Sequence, residues 1–139
     1  MDVLNVVGTL LFVAGLGALV MLNWRLLLKV IGQRRRNEIA IGIKGDDMER
    51  AVSAHRNFIE NTPINLIAPA ITFALGYALL ASIAVLILLV GRLFHANGIQ
   101  NPRESETDFR NRARGMRLTF AATIAGMLAL VVALVHRGF

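Results

Sequence analysis

The sequence predicts an all-α integral membrane protein, a four-helix bundle in which residues 1–139 form a single domain. Three observations lead there. Hydrophobic residues make up 55% of a chain of only 139 residues, and the mean hydropathy is +0.59. A domain this small cannot enclose that much apolar surface, so the surplus needs a partner other than water. The formal charge of +6 is gathered in clusters between long uncharged stretches, which does not fit the continuous basic face of a nucleic-acid-binding domain. Those uncharged stretches, finally, have the lengths of membrane-crossing helices. With no cysteine in the chain, disulfides, zinc–thiolate sites and a cysteine nucleophile are excluded, and any thiol chemistry must use a ligand's thiol.

Residues 3–24 are uncharged for 22 positions; as a helix they extend about 33 Å, enough to cross the hydrocarbon. The only charged side chain ahead of them is Asp2, while Arg25, Lys29 and Arg34-Arg35-Arg36 follow. A secretory signal has the opposite polarity. The segment therefore reads as a retained anchor, a helix over about 3–31 with its N-terminus outside. Residues 32–46, charged and interrupted by Gly32, Gly42 and Gly45, read as a loop.

The next uncharged stretch, 61–91, has 31 residues, too many for one crossing and too few for two. Extending the helix back through the polar residues 48–60 removes the shortfall. This gives a second helix over about 47–75 and a third over about 78–97, with Gly76-Tyr77 near the tight connection and Gly98 as C-cap. Pro63 and Pro69 fall inside the second helix, where membrane helices accept them with a kink. A polar loop over about 98–110 contains Pro102, and a fourth helix over about 111–135 opens on a basic turn. Small residues recur four apart in that helix (Gly115, Thr119, Thr123; Ala122, Gly126; Ala125, Ala129, Ala133), as close helix packing in lipid requires. Of 15 Lys and Arg, 14 lie from Arg25 to Arg117 on the side of the two loops, and only Arg137 lies opposite. Both loops are expected in the cytoplasm and both termini outside, periplasmic in a bacterial inner membrane.

The informative segment is the start of the second helix. At about 100° per residue, Arg50, Ser53, Asn57, Glu60 and Asn61 share an arc of about 100°, and Asn65 extends it. Polar groups at such depth normally face protein or a wet cavity. One reading pairs Glu60 with an arginine of another helix, Arg92 or Arg114, to hold the bundle together. The other is a polar cleft for a small charged ligand, since one ion pair does not need Ser53, Asn57, Asn61 and Asn65 beside it. The far wall would come from Arg92, His95 and Asn97 at the end of the third helix and Arg110, Arg112, Arg114 and Arg117 at the start of the fourth. Topology and snorkelling explain most of those cations. Together, around a carboxylate and amides, they suit a ligand with two carboxylates and one ammonium. Two other classes compete. His55 and His95 could ligate haem or line a quinone site, and His136 sits near the opposite face. A small multidrug exporter also has four helices, but its key carboxylate belongs in the first helix, which here has no acid from 3 to 31.

The segment Glu49-Arg50-Ala51…Ala54-His55-Arg56-Asn57-Phe58…Glu60…Pro63, followed by Gly91-Arg92-Leu93…His95-Ala96-Asn97-Gly98, resembles the MAPEG family (membrane-associated proteins in eicosanoid and glutathione metabolism) in its bacterial branch. The resemblance covers nearly the whole chain. It implies a homotrimer of four-helix subunits that binds glutathione as co-substrate between the second helix of one subunit and the first of its neighbour. The implied activity is glutathione transferase or peroxidase chemistry on lipophilic substrates that arrive through membrane lipid, with no nucleic acid involved. By position, Arg50, Asn57 and Glu60 match the glutathione-binding helix. Arg92 and His95 fall where members have an arginine and often a tyrosine, and Arg25 and Lys29 where the first helix supplies basic contacts. Ser53 stands where many members have a second arginine, and Asn61 where an aromatic often follows the glutamate. Those departures leave a catalytically silent membrane scaffold as the alternative. Arg112 or Arg114 would stabilise the thiolate, Arg112 first because it shortly precedes Gly115-Met116.

Overall fold

A computed structural model describes residues 3–102 and 109–138. The chain forms α1 (Val3–Arg36), α2 (Asp46–Ala74), α3 (Ala78–Gln100) and α4 (Arg110–Arg137), with no strand among the described residues. α1, α3 and α4 are each long and apolar enough to cross a membrane. Large hydrophobic side chains such as Leu10, Met21, Phe120, Ile124 and Leu128 point outward, the arrangement of a protein whose solvent is lipid. The chain is an integral membrane protein.

α3 is the hub. It packs against α1, α2 and α4, whereas α1 and α4 do not meet among the described residues. The core joins Phe12, Leu19, Leu22 and Leu26 of α1 to Ala54 and Phe58 of α2 and Ala81, Val85 and Leu88 of α3. Phe12 stacks on Phe73 of α2 with ring centroids 4.3 Å apart. α4 buries only small residues (Gly115, Thr119, Ala122, Gly126, Ala129 and Ala133), at helical spacing. Gly115 shows why. A Cβ there would lie 2.5 Å from the backbone N of His95 and 2.7 Å from the carbonyl of Gly91. In lipid such close backbone approach supplies the dispersion contacts that hold helices together.

Several boundaries differ from the sequence expectation, each for a local reason. α1 continues past residue 31 to Arg36, because Gln33 and the three arginines are good helix formers and basic residues suit a helix C-terminus. It stops at Glu38, which takes a left-handed φ of 54° while Ile39 N donates to Arg34 O at 3.2 Å. The loop is therefore 37–45, shorter than 32–46. α3 does not end at Gly98, which is buried inside the helix. It runs to Gln100 and is capped by Asn101 in an extended conformation, as expected for a residue preceding proline. Residues 103–108 of the expected second loop, and Asp2, lie outside the described residues.

At the end of the bundle away from the 37–45 loop, Arg137 Nη2 donates to the carbonyl of Leu75 at 2.7 Å, and Tyr77 Oη lies 2.6 Å from His136 Nδ1. The only basic residue expected on that side thus satisfies a carbonyl at the end of α2, the negative pole of its dipole.

Candidate functional site

The residues singled out in the sequence fall into three places. The first is a cleft of about 740 Å³ where α1 passes the start of α2 and the end of α3. α1 contributes Met21, Trp24, Arg25, Leu28, Lys29, Gly32, Gln33 and Arg36, α2 contributes Asp47, Arg50 and Ala51, and α3 contributes Gln100. Four cations (Arg25, Lys29, Arg36, Arg50) and one carboxylate, Asp47, line this space. Two cations are positioned by α3. Lys29 Nζ donates to Gln100 Oε1. Arg50 Nη1 donates to the carbonyls of Ile99 and Asn101, each at 3.1 Å, so its charge sits at the negative end of the α3 dipole.

The second place is a polar knot inside the bundle. Arg92 is only 1% exposed. Its Nη1 donates to Asn57 Oδ1 at 2.7 Å, and its Nη2 donates to Thr119 Oγ1 and, at 3.6 Å, to Met116 Sδ. Thr119 Oγ1 in turn donates to the carbonyl of Gly115 at 2.9 Å. Arg92 therefore ties α2, α3 and α4 together. Its Nε has no hydrogen-bond partner among the described residues. His95, one turn further along α3, is buried against Gly115, so α3 and α4 leave no room for a haem plane between them at that histidine.

The third place is the outward side of α2. Glu60 is paired neither with Arg92 nor with Arg114. It accepts from Arg56 Nε at 2.8 Å, one turn back on its own helix, with both side chains exposed. Ser53 is exposed as well. The reason is the register of α2, whose buried face is set by Ala51, Ala54, Phe58 and Thr62. The polar arc lies beside that face. At about 100° per residue, Arg50 and Asn57 fall at its edge while Ser53 and Glu60 turn away from the core. The amides form a ladder along the edge: Asn61 Nδ2 donates to Asn57 O at 2.9 Å, Asn65 Nδ2 to Asn61 O at 2.7 Å, and Thr123 Oγ1 to Asn65 Oδ1. At the start of α4, Arg112 is half-buried with its guanidinium 5.7 Å from the Phe109 ring centroid, whereas Arg114 is exposed.

The fold thus brings Arg25, Lys29 and Arg50 together, joins Asn57 to Arg92, and leaves Ser53 and Glu60 on an outer face. Sequence reasoning missed Trp24, Gln33, Arg36, Asp47 and Gln100. A signal existed for the α1 residues: 25, 29, 33 and 36 follow helical spacing along one side, visible once α1 is carried past residue 31. Asp47 and Gln100 reach the cleft only through tertiary packing.

A family model for the MAPEG family matches residues 9–133. No curated protein and no solved structure matches.

Proposed function

The chain belongs to the MAPEG family, and from that premise we propose that it is a homotrimeric, glutathione-binding membrane enzyme acting on lipophilic electrophiles. The observation that carries this reading is the charge set of the cleft where α1 and α2 of one chain meet; the site between α2 of one subunit and α1 of its neighbour that the resemblance implies is thereby replaced by one within a single subunit. Glutathione has two carboxylates and one ammonium; Arg25, Lys29, Arg36 and Arg50 supply cations and Asp47 one carboxylate. The volume of about 740 Å³ suits a small-molecule site. Arg50, anchored by two α3 carbonyls, is a preorganised carboxylate partner. Arg92 and His95 act through position: Arg92 holds Asn57 at the edge of α2, and His95 fixes the α3–α4 contact. Ser53 and Glu60, on the outward side of α2, are the residues a neighbouring subunit's α1 covers in the trimer. Burial at that interface supplies the protein contact that the Arg56–Glu60 pair lacks in a lone chain.

The chemistry requires a thiolate, because the neutral thiol is a poor nucleophile. Arg112 is the first candidate to favour it and Arg114 the second; each unit by which a guanidinium lowers a thiol pKa is about 1.4 kcal/mol. With an aryl halide, a carbon–sulfur bond forms, the halide leaves with its bonding electrons, and the thiol proton passes to water. With a hydroperoxide, two thiols are oxidised to a disulfide while the peroxide is reduced to an alcohol and water. The lipophilic acceptor enters from the bilayer. The positive-inside distribution supports a cleft in the cytoplasmic half of the membrane, and the reading takes that membrane to be a bacterial inner membrane.

The test is calorimetric titration of the detergent-solubilised protein with glutathione and with an S-alkyl derivative, paired with a conjugation assay on a generic aryl halide. Saturable binding of both and turnover of the aryl halide are expected. Binding without turnover would leave a silent scaffold, and no binding would remove glutathione from the account altogether.

A further inference from the structure

α4 turns its buried small residues towards α3 and α2, and its opposite face points out of the bundle. At about 100° per residue, Arg110, Arg114, Arg117, Ala121, Ile124 and Leu128 share an arc of about 80° on that face, and all six are exposed. The chemistry along it changes once. Arginines occupy the first two turns, and no Lys, Arg, Asp or Glu follows until Arg137. α3 borders the face on one side. A Cβ on Gly91 would lie 3.1 Å from Leu118 Cβ, and one on Gly126 would lie 3.8 Å from Ala84 Cβ. This register sets Phe94, Val90 and Ile83 at the heights of Arg114, Arg117 and Ala125, and all three are exposed. Between that row and Ile124 and Leu128, the short side chains of Ala121 and Ala125 leave a shallow apolar groove. From Arg117 to Leu128 it extends about 16 Å, close to the hydrocarbon depth of one leaflet, about 15 Å. The trimer proposed above closes over α1 and the outward side of α2. On α4, Thr123 bonds Asn65 of α2 on the flank away from α3, so the groove faces away from that contact and meets lipid.

We propose that the outer α3–α4 groove binds one phospholipid with a net-negative headgroup, its acyl chain lying over Ala121 and Ala125 and its phosphate held by Arg114 and Arg117. Charge complementarity selects the headgroup. Neither α3 nor α4 contains an Asp or a Glu. The ammonium of a zwitterionic lipid therefore finds no acid on either wall and meets arginines instead, whereas an anionic headgroup brings only groups that guanidinium attracts. Long arginine side chains reach from a helix flank to headgroup depth while their stems cover apolar surface, which places the charges directly above the groove. The site shares no residue with the α1–α2 cleft, and the proposal does not depend on the glutathione reading.

The test is native mass spectrometry of the full-length protein in detergent, equilibrated with equal amounts of phosphatidylglycerol and phosphatidylcholine. The wild type should retain about one phosphatidylglycerol per chain, favoured over phosphatidylcholine by about fivefold for each arginine engaged, the scale of one headgroup–cation contact at a membrane surface. Arg114→Gln/Arg117→Gln should bring that preference close to one. Arg35→Gln/Lys44→Gln removes the same charge from exposed positions outside α3 and α4, and the preference should survive. Ala121→Phe leaves every arginine in place but fills the groove, and should reduce phosphatidylglycerol retention several-fold. All these positions are exposed, so the unfolding midpoint should stay at the wild-type value. Equal retention of the two lipids by the wild type overturns the proposal, and so does retention of neither, which would give this face to protein. Equal loss in the two double variants also overturns it, since it would mean unspecific attraction to a basic surface. Undiminished retention in Ala121→Phe would remove the acyl chain from the groove and the proposal with it.

Discussion

Asn57→Leu and Arg92→Met delete the same hydrogen bond, yet they should affect stability unequally. Arg92 is 1% exposed, and its partners are the Asn57 amide oxygen at 2.7 Å, the Thr119 hydroxyl and the Met116 sulfur. None is a carboxylate. Asn57→Leu leaves a buried cation with one good acceptor fewer, a loss of about 1.5–3 kcal/mol for a hydrogen bond to a charged group. Arg92→Met removes the charge together with the energy of holding it away from water; exchanging a buried ion for an apolar side chain of similar length is often neutral. What remains is a half-buried neutral amide on Asn57, which costs about 1 kcal/mol. Thermal unfolding in one detergent at one scan rate measures the difference. For a chain of this length, about 4 °C per kcal/mol puts Asn57→Leu about 8 °C below the wild type and Arg92→Met within about 4 °C of it. The double variant should be no worse than Asn57→Leu alone, because the two changes act on one bond. If Arg92→Met is the more damaging, or the two losses simply add, the knot is not built around an uncompensated cation.

Other substitutions probe other parts of the structure. Gly115→Ala places a methyl 2.5 Å from the His95 backbone N and should lower stability by at least about 1–3 kcal/mol through overpacking, seen as a fall in unfolding midpoint; an unchanged midpoint would mean that α3 and α4 are not in close contact there. Arg112→Gln should raise the pKa of enzyme-bound glutathione thiol by about one unit, a tenfold smaller thiolate fraction below that pKa, followed by ultraviolet difference absorption against pH; if Arg114→Gln alone has this effect, the roles are reversed. Glu60→Gln should reduce trimer yield and conjugation together, measured by size-exclusion chromatography and the aryl halide assay. Loss of drug export from cells with conjugation intact would favour an exporter.

What the sequence made legible was periodic or compositional. The uncharged run 3–24 and the small-residue spacing of α4 both survive as a crossing helix and as the buried stripe from Gly115 to Ala133, because lipid exposure and close packing act on each helix by itself. The end of α1 was harder to read: Arg34, Arg35 and Arg36 look like loop by charge but are helix formers by propensity, and propensity decides where no proline or left-handed glycine intervenes. Gly98 lies inside α3 and does not cap it; a glycine that lets helices approach cannot be told from one that ends a helix without its neighbours. The polar arc of α2 was found, but its direction was not. A helical wheel gives relative angles only, and the choice of core face was made by Ala51, Ala54 and Phe58 against α1 and α3. That choice separates Glu60 from Arg92 and gives it Arg56 instead. The contributions of Asp47 and Gln100 to the cleft, and the Arg137–Leu75 and Tyr77–His136 contacts, join positions distant in sequence and leave no local pattern.

The most direct measurement is the dissociation constant for glutathione, by calorimetry, in the wild type and in the Arg25→Gln/Lys29→Gln double variant. If the cationic side of the α1–α2 cleft holds the peptide carboxylates, affinity should fall about 100-fold, two charge-assisted contacts at about 1.4 kcal/mol each, with the unfolding midpoint unchanged. An unaltered dissociation constant in the folded double variant would contradict the placement of glutathione in this cleft.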